Sequence, residues 1–285
     1  MHSLADAVPV HVNRRSGEPD CVIRRMSDVA AASDMSGRRE WVYRPVIRTA
    51  LALFRLFGFR FDLRGVENVP DRGGAVLACN HLSYFDFMFV GLTAHLRGRR
   101  LVRFLAKQSV FRNRVSGPLM RGMGHIPVDR AAGAAAYRHA LASLSAGELV
   151  GIFPEQTISR SFVPRPLKAG AARLALEAGV PLIPMVTWGG HRVWTTGRRP
   201  TFRRRVPVMI VVDAPLTVVD GESASELTGR LAARLRALVE EVLSDYPGGG
   251  QEGQWWWPAH LGGGAPTRDA ATGVERAAVA ELNRR

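Results

Sequence analysis

Residues 75–86 read AVLACNHLSYFD, and this stretch decides the predicted fold. Ala75–Asn80 is apolar up to its last residue and predicts a short buried strand, whereas Tyr84–Leu96 predicts a helix. His81 would then lie at the carboxyl end of a strand, and Asp86 in the first turn of the following helix. Open α/β sheets usually place their functional sites at this end of their strands. The stretch therefore predicts a strand–loop–helix unit and a candidate site within it.

Strands and helices alternate along the chain on both sides of this unit. The predicted strands are Phe59–Arg64, Ala75–Asn80, Leu101–Ala106, His125–Val128, Leu149–Phe153, Pro181–Trp188 and Val206–Val212. Besides Tyr84–Leu96, the predicted helices are Ala134–Leu144, Lys168–Ala178 and Ser223–Ser244, and Ser223 and Glu226 form a capping-box pattern at the start of the last. This alternation indicates an α/β protein, a single domain with a mixed, largely parallel sheet flanked by helices.

The chain divides into three predicted parts. Residues 1–39 are polar without steady periodicity, and we expect a disordered N-terminal extension. Residues 40–246 form the predicted domain, which begins with a helix over 41–59 that mixes apolar residues and arginines. We assign it as an interfacial helix, with a helix that simply covers the core as the alternative. Residues 247–285 form a Gly- and Trp-containing tail, in which Trp255–Trp257 would anchor in lipid headgroups or pack back onto the domain.

The composition is strongly basic. The 285 residues carry a formal net charge of +14, and an arginine-rich surface attracts the phosphates of lipids, nucleic acids or substrates. Cys21 and Cys79 are the only cysteines, so neither a disulfide framework nor a zinc cluster is expected. Arginines and Pro45 interrupt the best candidate for a membrane span, and no signal peptide is convincing. We expect a cytoplasmic protein, peripheral on the inner face of the cell membrane.

The pair His81 and Asp86 carries the sharpest chemical signal. A carboxylate that accepts one ring N–H of a histidine fixes the tautomer and raises the basicity of the other ring nitrogen. Such a histidine can deprotonate an alcohol as the alcohol attacks a thioester. The alternative is that Asp86 only favours the helix N-terminus electrostatically and that His81 is an ordinary loop residue.

A second polar segment follows another predicted strand. Residues 153–160 read FPEQTISR, and Glu155 would stand at the carboxyl end of the strand Leu149–Phe153. The alternative is an ordinary turn punctuated by proline and polar residues.

Four motifs in order resemble those of the glycerophospholipid acyltransferase family, typified by 1-acylglycerol-3-phosphate acyltransferases. They are Asn80-His81-x4-Asp86; Gly124–Arg130; Phe153, Pro154, Glu155, Thr157 and Ser159 of a Phe-Pro-Glu-Gly-Thr-Arg-Ser pattern; and Val180-Pro-Leu-Ile-Pro184. Lys168, Gly170 and Ala171 resemble the segment between the third and fourth motifs. The resemblance spans about residues 65–213.

The resemblance implies direct transfer of a fatty acyl group to a lysophospholipid hydroxyl, without an acyl-enzyme. His81 would be the general base and Asp86 would orient it, while Ser83 as a covalent nucleophile ranks low. The residues implied in substrate binding are Asn80, Gly124, Arg130, Phe153, Pro154, Glu155, Thr157, Ser159, Arg160 and Lys168. The donor would be acyl-CoA or an acyl carrier protein thioester, with no metal or other cofactor.

Two departures from the third motif concern the acceptor. Gln156 stands where glycine is usual, and Ile158 stands where arginine is usual, which removes a phosphate ligand that Arg160 or Arg165 could replace. 1-Acylglycerol-3-phosphate, giving phosphatidic acid, is the expected acceptor, with another lysophospholipid or a glycolipid as the alternative. A non-catalytic basic protein that binds membranes or nucleic acid is the alternative of another class.

Two arginine clusters predict a partner. Arg97, Arg99, Arg100 and Arg103 form the first, and Arg198, Arg199, Arg203, Arg204 and Arg205 form the second. Near an anionic lipid surface each such charge contributes about 1 kcal/mol. We expect an anionic membrane as the partner and, because no nucleic-acid-binding signature is found, no nucleic acid.

Overall fold

The computed structural model describes residues 10–13, 40–129, 133–250 and 252–274. Its centre is an eight-stranded sheet in the order β1-β2-β8-β7-β3-β6-β4-β5. The strands are β1 (Val10–Asn13), β2 (Arg60–Arg64), β3 (Ala75–Cys79), β4 (Val102–Lys107), β5 (Ile126–Val128), β6 (Leu149–Ile152), β7 (Leu182–Trp188) and β8 (Pro207–Val212). Neighbouring strands run parallel except β7 and β8, which are antiparallel. The predicted mixed, largely parallel sheet is confirmed.

Seven helices are named within the described residues. They are α1 (Glu40–Phe57), α2 (Asp86–Leu96), α3 (Gln108–Arg112), α4 (Ser116–Gly122), α5 (Gly133–Ser145), α6 (Gly170–Ala178) and α7 (Ala224–Asp245). The sequence pattern predicted neither α3 nor α4, which are too short to display a helical period. The capping box of α7 is present, because the Ser223 hydroxyl accepts from the Glu226 N–H while the Glu226 carboxylate accepts from the Ser223 N–H.

Alternate residues of β3 face opposite sides of the sheet, as the two-residue period of a strand requires. Val76 and Ala78 pack in the cluster that includes α5, α6 and α7. Ala75, Leu77 and Cys79 pack in the cluster that includes α2 and Phe54 of α1. Helices therefore cover both faces, and the carboxyl ends of the parallel strands are left for a site.

Helix α1 packs two aromatic side chains of its apolar face against the domain, which favours the alternative of a helix that covers the core; the interfacial role stays a prediction. Tyr43 and Phe54 are buried, and the Phe54 ring lies 5.2 Å from that of Phe61 and 5.5 Å from that of Phe89. The exposed side of the helix carries Arg44, Arg48, Arg55 and Leu56. The buried rings cannot enter a bilayer because the core already uses them. In the described part of the chain, no helix has the length and apolarity to cross a membrane.

Both ends of the chain add to the domain. Val10–Asn13 form β1, which pairs with β2, so the predicted disordered extension is corrected there; the other residues of 1–39 lie outside the described ones. In the predicted tail, Trp256 and Trp257 are buried, and the Trp257 ring lies 6.0 Å from that of Trp188. The tryptophans therefore pack back onto the domain instead of anchoring in lipid. The tail beyond residue 274 lies outside the described residues.

Candidate active site

The loop between β3 and α2 brings His81 and Asp86 together. His81 Nδ1 lies 3.0 Å from Asp86 Oδ2, and the imidazole is 21% exposed while the carboxylate is buried. The contact assigns the Nδ1 proton to the bond with Asp86, which leaves the Nε2 lone pair available to accept a proton. The predicted pair therefore exists as a geometric unit at the carboxyl edge of the sheet.

Asp86 accepts hydrogen bonds from five groups. Its Oδ2 accepts from His81 and from the N–H groups of Leu82 and Ser83, at 2.7 and 2.8 Å. Its Oδ1 accepts from the hydroxyls of Ser83, at 2.7 Å, and Thr187, at 3.0 Å. A carboxylate held from both oxygens cannot rotate, so the imidazole has one fixed partner. Ser83 is fully buried and its hydroxyl is engaged, so it is not placed to act as a nucleophile.

Asn80 is buried between β3 and β7. Its amide donates to the Thr187 carbonyl at 3.1 Å and its side-chain oxygen accepts from the Thr187 N–H at 2.8 Å. The predicted substrate-binding role of Asn80 is therefore joined to a visible structural one, which is to carry the strand pairing into the catalytic loop.

The loop after β6 lies directly against His81. The Phe153 ring stacks on the imidazole with centroids 4.2 Å apart, and Phe104 stacks on Phe153 at 5.9 Å. The Ser159 N–H donates to the His81 carbonyl at 2.8 Å. The first and third motifs, 74 residues apart at His81 and Glu155, therefore form one site.

Glu155 is buried beneath this loop. Its Oε1 accepts from the His81 N–H at 3.1 Å, and its Oε2 accepts from the Arg165 N–H at 3.0 Å. Burial raises the pKa of Glu155 to about 8, against the two backbone hydrogen bonds and the Arg165 charge, which lower the pKa; the charge of Asp86 adds to the rise. The carboxyl group is therefore protonated at neutral pH and acts as a bridge between two backbone segments.

The departures at Gln156 and Ile158 differ in what they do to the loop: the first keeps its turn, and the second removes a polar side chain. Gln156 adopts φ of 62°, the left-handed conformation that a glycine supplies without strain. Its side chain is exposed, so the substitution preserves the turn. Ile158 is buried, so this position faces the interior and offers no ligand to a phosphate.

The remaining predicted residues of the third motif are spread around the loop. Pro154 is buried and its carbonyl accepts from the Lys168 N–H at 3.0 Å, which closes the loop, while the Lys168 side chain is exposed. Thr157 is half-buried. Arg160 is half-buried against Gly197, where a Cβ atom would clash with the guanidinium.

The second motif contains β5, which pairs with β4 and lies three strands away from β3. Gly124 adopts φ of 66°, and a Cβ atom there would lie 2.9 Å from Nη1 of Arg103. The neighbouring His125 is buried, its Nδ1 accepts from the Phe104 N–H at 3.2 Å, and burial lowers its pKa to about 4. Arg130 lies outside the described residues.

The first predicted arginine cluster is used within the fold. The Arg103 guanidinium pairs with Glu148 at 2.6 Å and is buried. Arg97 donates to the Val69 carbonyl and Arg100 to the Pro70 carbonyl. Three of its four arginines therefore bind groups of the domain at the amino edge of the sheet. This corrects the expectation that they form a free membrane-binding patch.

Comparison with known proteins finds similarity to one family of enzymes. Residues 60–188 match the family model described as Acyltransferase, and this range contains the His81–Asp86 pair and the Glu155 loop. Over this segment, 129 of the 285 residues, the chain is similar to the acyltransferase family. The chain is an enzyme, and its activity is acyl transfer.

The names of similar proteins describe the same type of activity. A 1-acyl-sn-glycerol-3-phosphate acyltransferase from Bacillus subtilis is 28% identical over 180 residues, which are 62% of this chain and 83% of the relative. The enzyme of that name from Limnanthes douglasii is 32% identical over 170 residues, which cover 58% of this chain and 57% of the relative. The crystal structure of the 1-acyl-sn-glycerophosphate (LPA) acyltransferase PlsC from Thermotoga maritima matches with a TM-score of 0.62 and 21% identity, over 77% of this chain and 87% of that one. That likeness shows a shared fold.

Sequence patterns missed three contributors to the acyltransferase site. Thr187 holds Asp86 from the neighbouring strand, and the Arg165 N–H holds Glu155. Arg268, far along the chain, donates to the Pro164 carbonyl beside Arg165. A lone threonine in the apolar run Leu182–Trp188 was the one available signal. Arg165 acts through its backbone N–H, and the Arg268 side chain reaches a carbonyl 104 positions away, and no motif encodes either contact.

Proposed function

We propose that this acyltransferase moves a fatty acyl group from an acyl thioester to the free hydroxyl of a lysophospholipid, with 1-acylglycerol-3-phosphate as the acceptor and phosphatidic acid as the product. The observation that carries the proposal is the 3.0 Å contact between His81 Nδ1 and Asp86 Oδ2 at the carboxyl edge of the sheet. The names of the relatives from Bacillus subtilis and Limnanthes douglasii support the choice of acceptor.

The proposed reaction needs one base and no covalent enzyme intermediate. His81 Nε2 takes the hydroxyl proton while the acceptor oxygen attacks the thioester carbonyl carbon. The tetrahedral intermediate then collapses, the carbon–sulfur bond breaks, and the leaving thiolate takes the proton back from His81. A general base of this kind contributes about 10²–10⁴-fold to the rate.

An apolar cavity of about 80 Å³, room for only a few methylene groups, offers a place for part of an acyl chain. It lies between α1, α2 and β4, and its lining includes Leu51, Phe54, Met88 and Phe104. Phe104 connects it to the site, since its ring stacks on Phe153, which stacks on His81. We propose that acyl-CoA or an acyl carrier protein thioester is the donor and that a few methylene groups of its acyl chain contact this cavity.

The acceptor headgroup would meet the exposed side of the Glu155 loop. Ile158 is buried there, so Arg160, Lys168 and Gln156 are the described polar side chains that we assign to the headgroup. Arg130 and Glu155 complete the proposed binding residues, Glu155 through the loop conformation it maintains.

The test incubates the full chain with acyl-CoA, and separately with acyl carrier protein thioester, across a panel of lysophospholipids and glycolipids. We expect diacyl product from 1-acylglycerol-3-phosphate, and loss of that product in His81→Ala. Product from a different lysophospholipid or from a glycolipid alone would replace the acceptor and keep the reaction type.

A further inference from the structure

Two exposed loops flank the catalytic loop at the carboxyl edge of the sheet. Because β3, β4, β6 and β7 run parallel, the segments that follow them lie at the same edge. The first flanking loop is residues 194–205, after β7, and the second is residues 108–122, which contain α3 and α4 after β4. Both present apolar side chains to the outside.

The 194–205 loop joins an exposed aromatic surface to the catalytic loop. Phe202 is 84% exposed, and its ring stacks on Phe57 at 6.4 Å. The Trp194 and Tyr84 rings lie 4.7 Å apart and are both exposed. The Tyr84 N–H donates to the Trp194 carbonyl at 3.3 Å, so this surface is fixed next to His81.

The 108–122 loop presents aliphatic side chains on the other flank. Val115 is 77% exposed, and Val110 and Leu119 are also exposed. Phe87, directly after Asp86, adds an exposed ring between this loop and the site. Exposed apolar side chains grouped in this way mark interaction surfaces.

Positive charge surrounds both apolar groups. The exposed arginines of the first loop are Arg198, Arg199, Arg203, Arg204 and Arg205, and no acidic residue occurs from Gly190 to Val212. The second loop carries Arg112, Arg114 and Arg121, and no acidic residue occurs from Val102 to Val128. The amino edge differs, because its arginines are neighbours of Asp71 and Glu148.

We propose that the carboxyl edge of the sheet docks on an anionic phospholipid bilayer, with Phe202 and Val115 entering the headgroup layer on either side of His81 and the arginines contacting lipid phosphates. The apolar groups favour a bilayer over nucleic acid, because aliphatic Val115 and Leu119 offer nothing to a stacked base. The docking surface itself does not depend on the proposed function. Its consequence does: the opening to His81 would face the lipid that carries the acceptor.

The test measures binding of the full chain to vesicles of phosphatidylcholine with and without phosphatidylglycerol. The apolar variant is Phe202→Ser with Val115→Ser, and the charge variant is Arg199→Gln with Arg204→Gln. The matched controls lie at the amino edge. The apolar control is Val219→Ser, at a residue that is 57% exposed, and the charge control is Arg72→Gln with Arg99→Gln, at two exposed arginines.

We expect binding to vesicles that contain phosphatidylglycerol to fall about 25-fold in the charge variant, since each arginine near such a surface contributes about fivefold. The apolar variant should lose at least tenfold, and the controls should stay within about twofold of wild type. Equal losses in the amino-edge controls, or unchanged binding in both variants, would overturn the proposal. A competition experiment gives a further contrary outcome. The proposal would also be overturned if duplex DNA displaced the protein from vesicles at a lower concentration than competing anionic lipid does.

A second measurement separates this proposal from the proposed function. With lysophospholipid presented in detergent micelles, both carboxyl-edge variants should transfer acyl groups as fast as wild type, because the bilayer is absent. His81→Ala should bind vesicles like wild type. Wild-type protein that binds vesicles at this edge but acylates no lysophospholipid would remove the proposed acceptor and leave the docking surface in place.

Discussion

The loop 80–86 and the loop 153–165 both border His81, but different parts of the chain hold them. In the first, three of the five donors to Asp86 come from Leu82 and Ser83 within the same loop. The second is held by His81, Lys168 and Arg268, and it contains Gln156 and Phe162 at positive φ. Both loops combine contacts of their own with contacts from distant segments, since Thr187 also holds Asp86 and Arg165 holds Glu155 within the second loop. The two loops differ in backbone strain, because only the second contains residues at positive φ. Catalysis and acceptor binding should therefore respond differently to mutation.

The largest effect on activity is expected in the loop 80–86. His81→Ala and Asp86→Ala should each lower kcat/KM by about 10²–10⁴-fold, because each removes the oriented base. The double variant should lose little more than either single variant, since the two residues act as a unit. Steady-state acyl-transfer kinetics measure this, with Ser83→Ala as the control. A loss in Ser83→Ala as large as that in His81→Ala would instead indicate a covalent mechanism.

The second effect concerns Glu155 and the pH dependence of stability. With a folded pKa of about 8, Glu155 keeps its proton in the folded state while the unfolded chain has already lost it. The free energy of unfolding should therefore fall as pH rises from about 6.5 to 8, by up to about 1.4 kcal/mol per pH unit. The buried His125 and His191, whose pKa values burial lowers to about 4, affect stability mainly below this window.

Denaturant unfolding at several pH values measures that slope. Glu155→Gln should flatten it, because the amide does not ionise, and Glu67→Gln, at an exposed position between β2 and β3, should leave it unchanged. A slope of equal size in wild type and Glu155→Gln would mean that Glu155 is ionised in the folded state.

A smaller effect is expected at the distant support of the 153–165 loop. Arg268→Gln removes a donor to the Pro164 carbonyl, and one such bond contributes about 0.5–1.5 kcal/mol. The KM for the lysophospholipid should rise about two- to tenfold while kcat changes little, because the base is held elsewhere. Arg236→Gln, exposed on α7, is the matched control. A fall in kcat with an unchanged KM would show that the two loops are not separable.

The smallest effect is expected at Gln156. A left-handed conformation costs a side chain about 1–2 kcal/mol, and glycine gives back about 0.5–1 kcal/mol in unfolded-state entropy. Gln156→Gly should therefore stabilise the protein by about 0.5–1 kcal/mol, measured by thermal unfolding. Exposed Gly133, which lies in a helix without positive φ, provides the contrast as Gly133→Gln. Destabilisation by Gln156→Gly would show that the Gln156 side chain contributes contacts that offset its strain.

Much of the fold could be predicted because its signals are local. The apolar runs of β3, β6 and β7, the glycine that ends α6 and the capping box of α7 all lie within a few residues of the element they define. Helices α3 and α4 and strand β1 escaped, because short elements show no period. The sequence left the role of α1 open for a different reason, since an apolar face looks the same whether a bilayer or the rest of the domain covers it.

The sequence by itself determined the alternating architecture and the His81–Asp86 pair, because six residues of chain suffice to bring that imidazole and carboxylate into contact. Only the tertiary structure decided what surrounds them. The Thr187 hydroxyl donates to Asp86 across 101 positions of the sequence. Burial between two backbone segments raises the pKa of Glu155. Both depend on contacts between segments far apart in sequence, and such contacts exist only once the strands have paired.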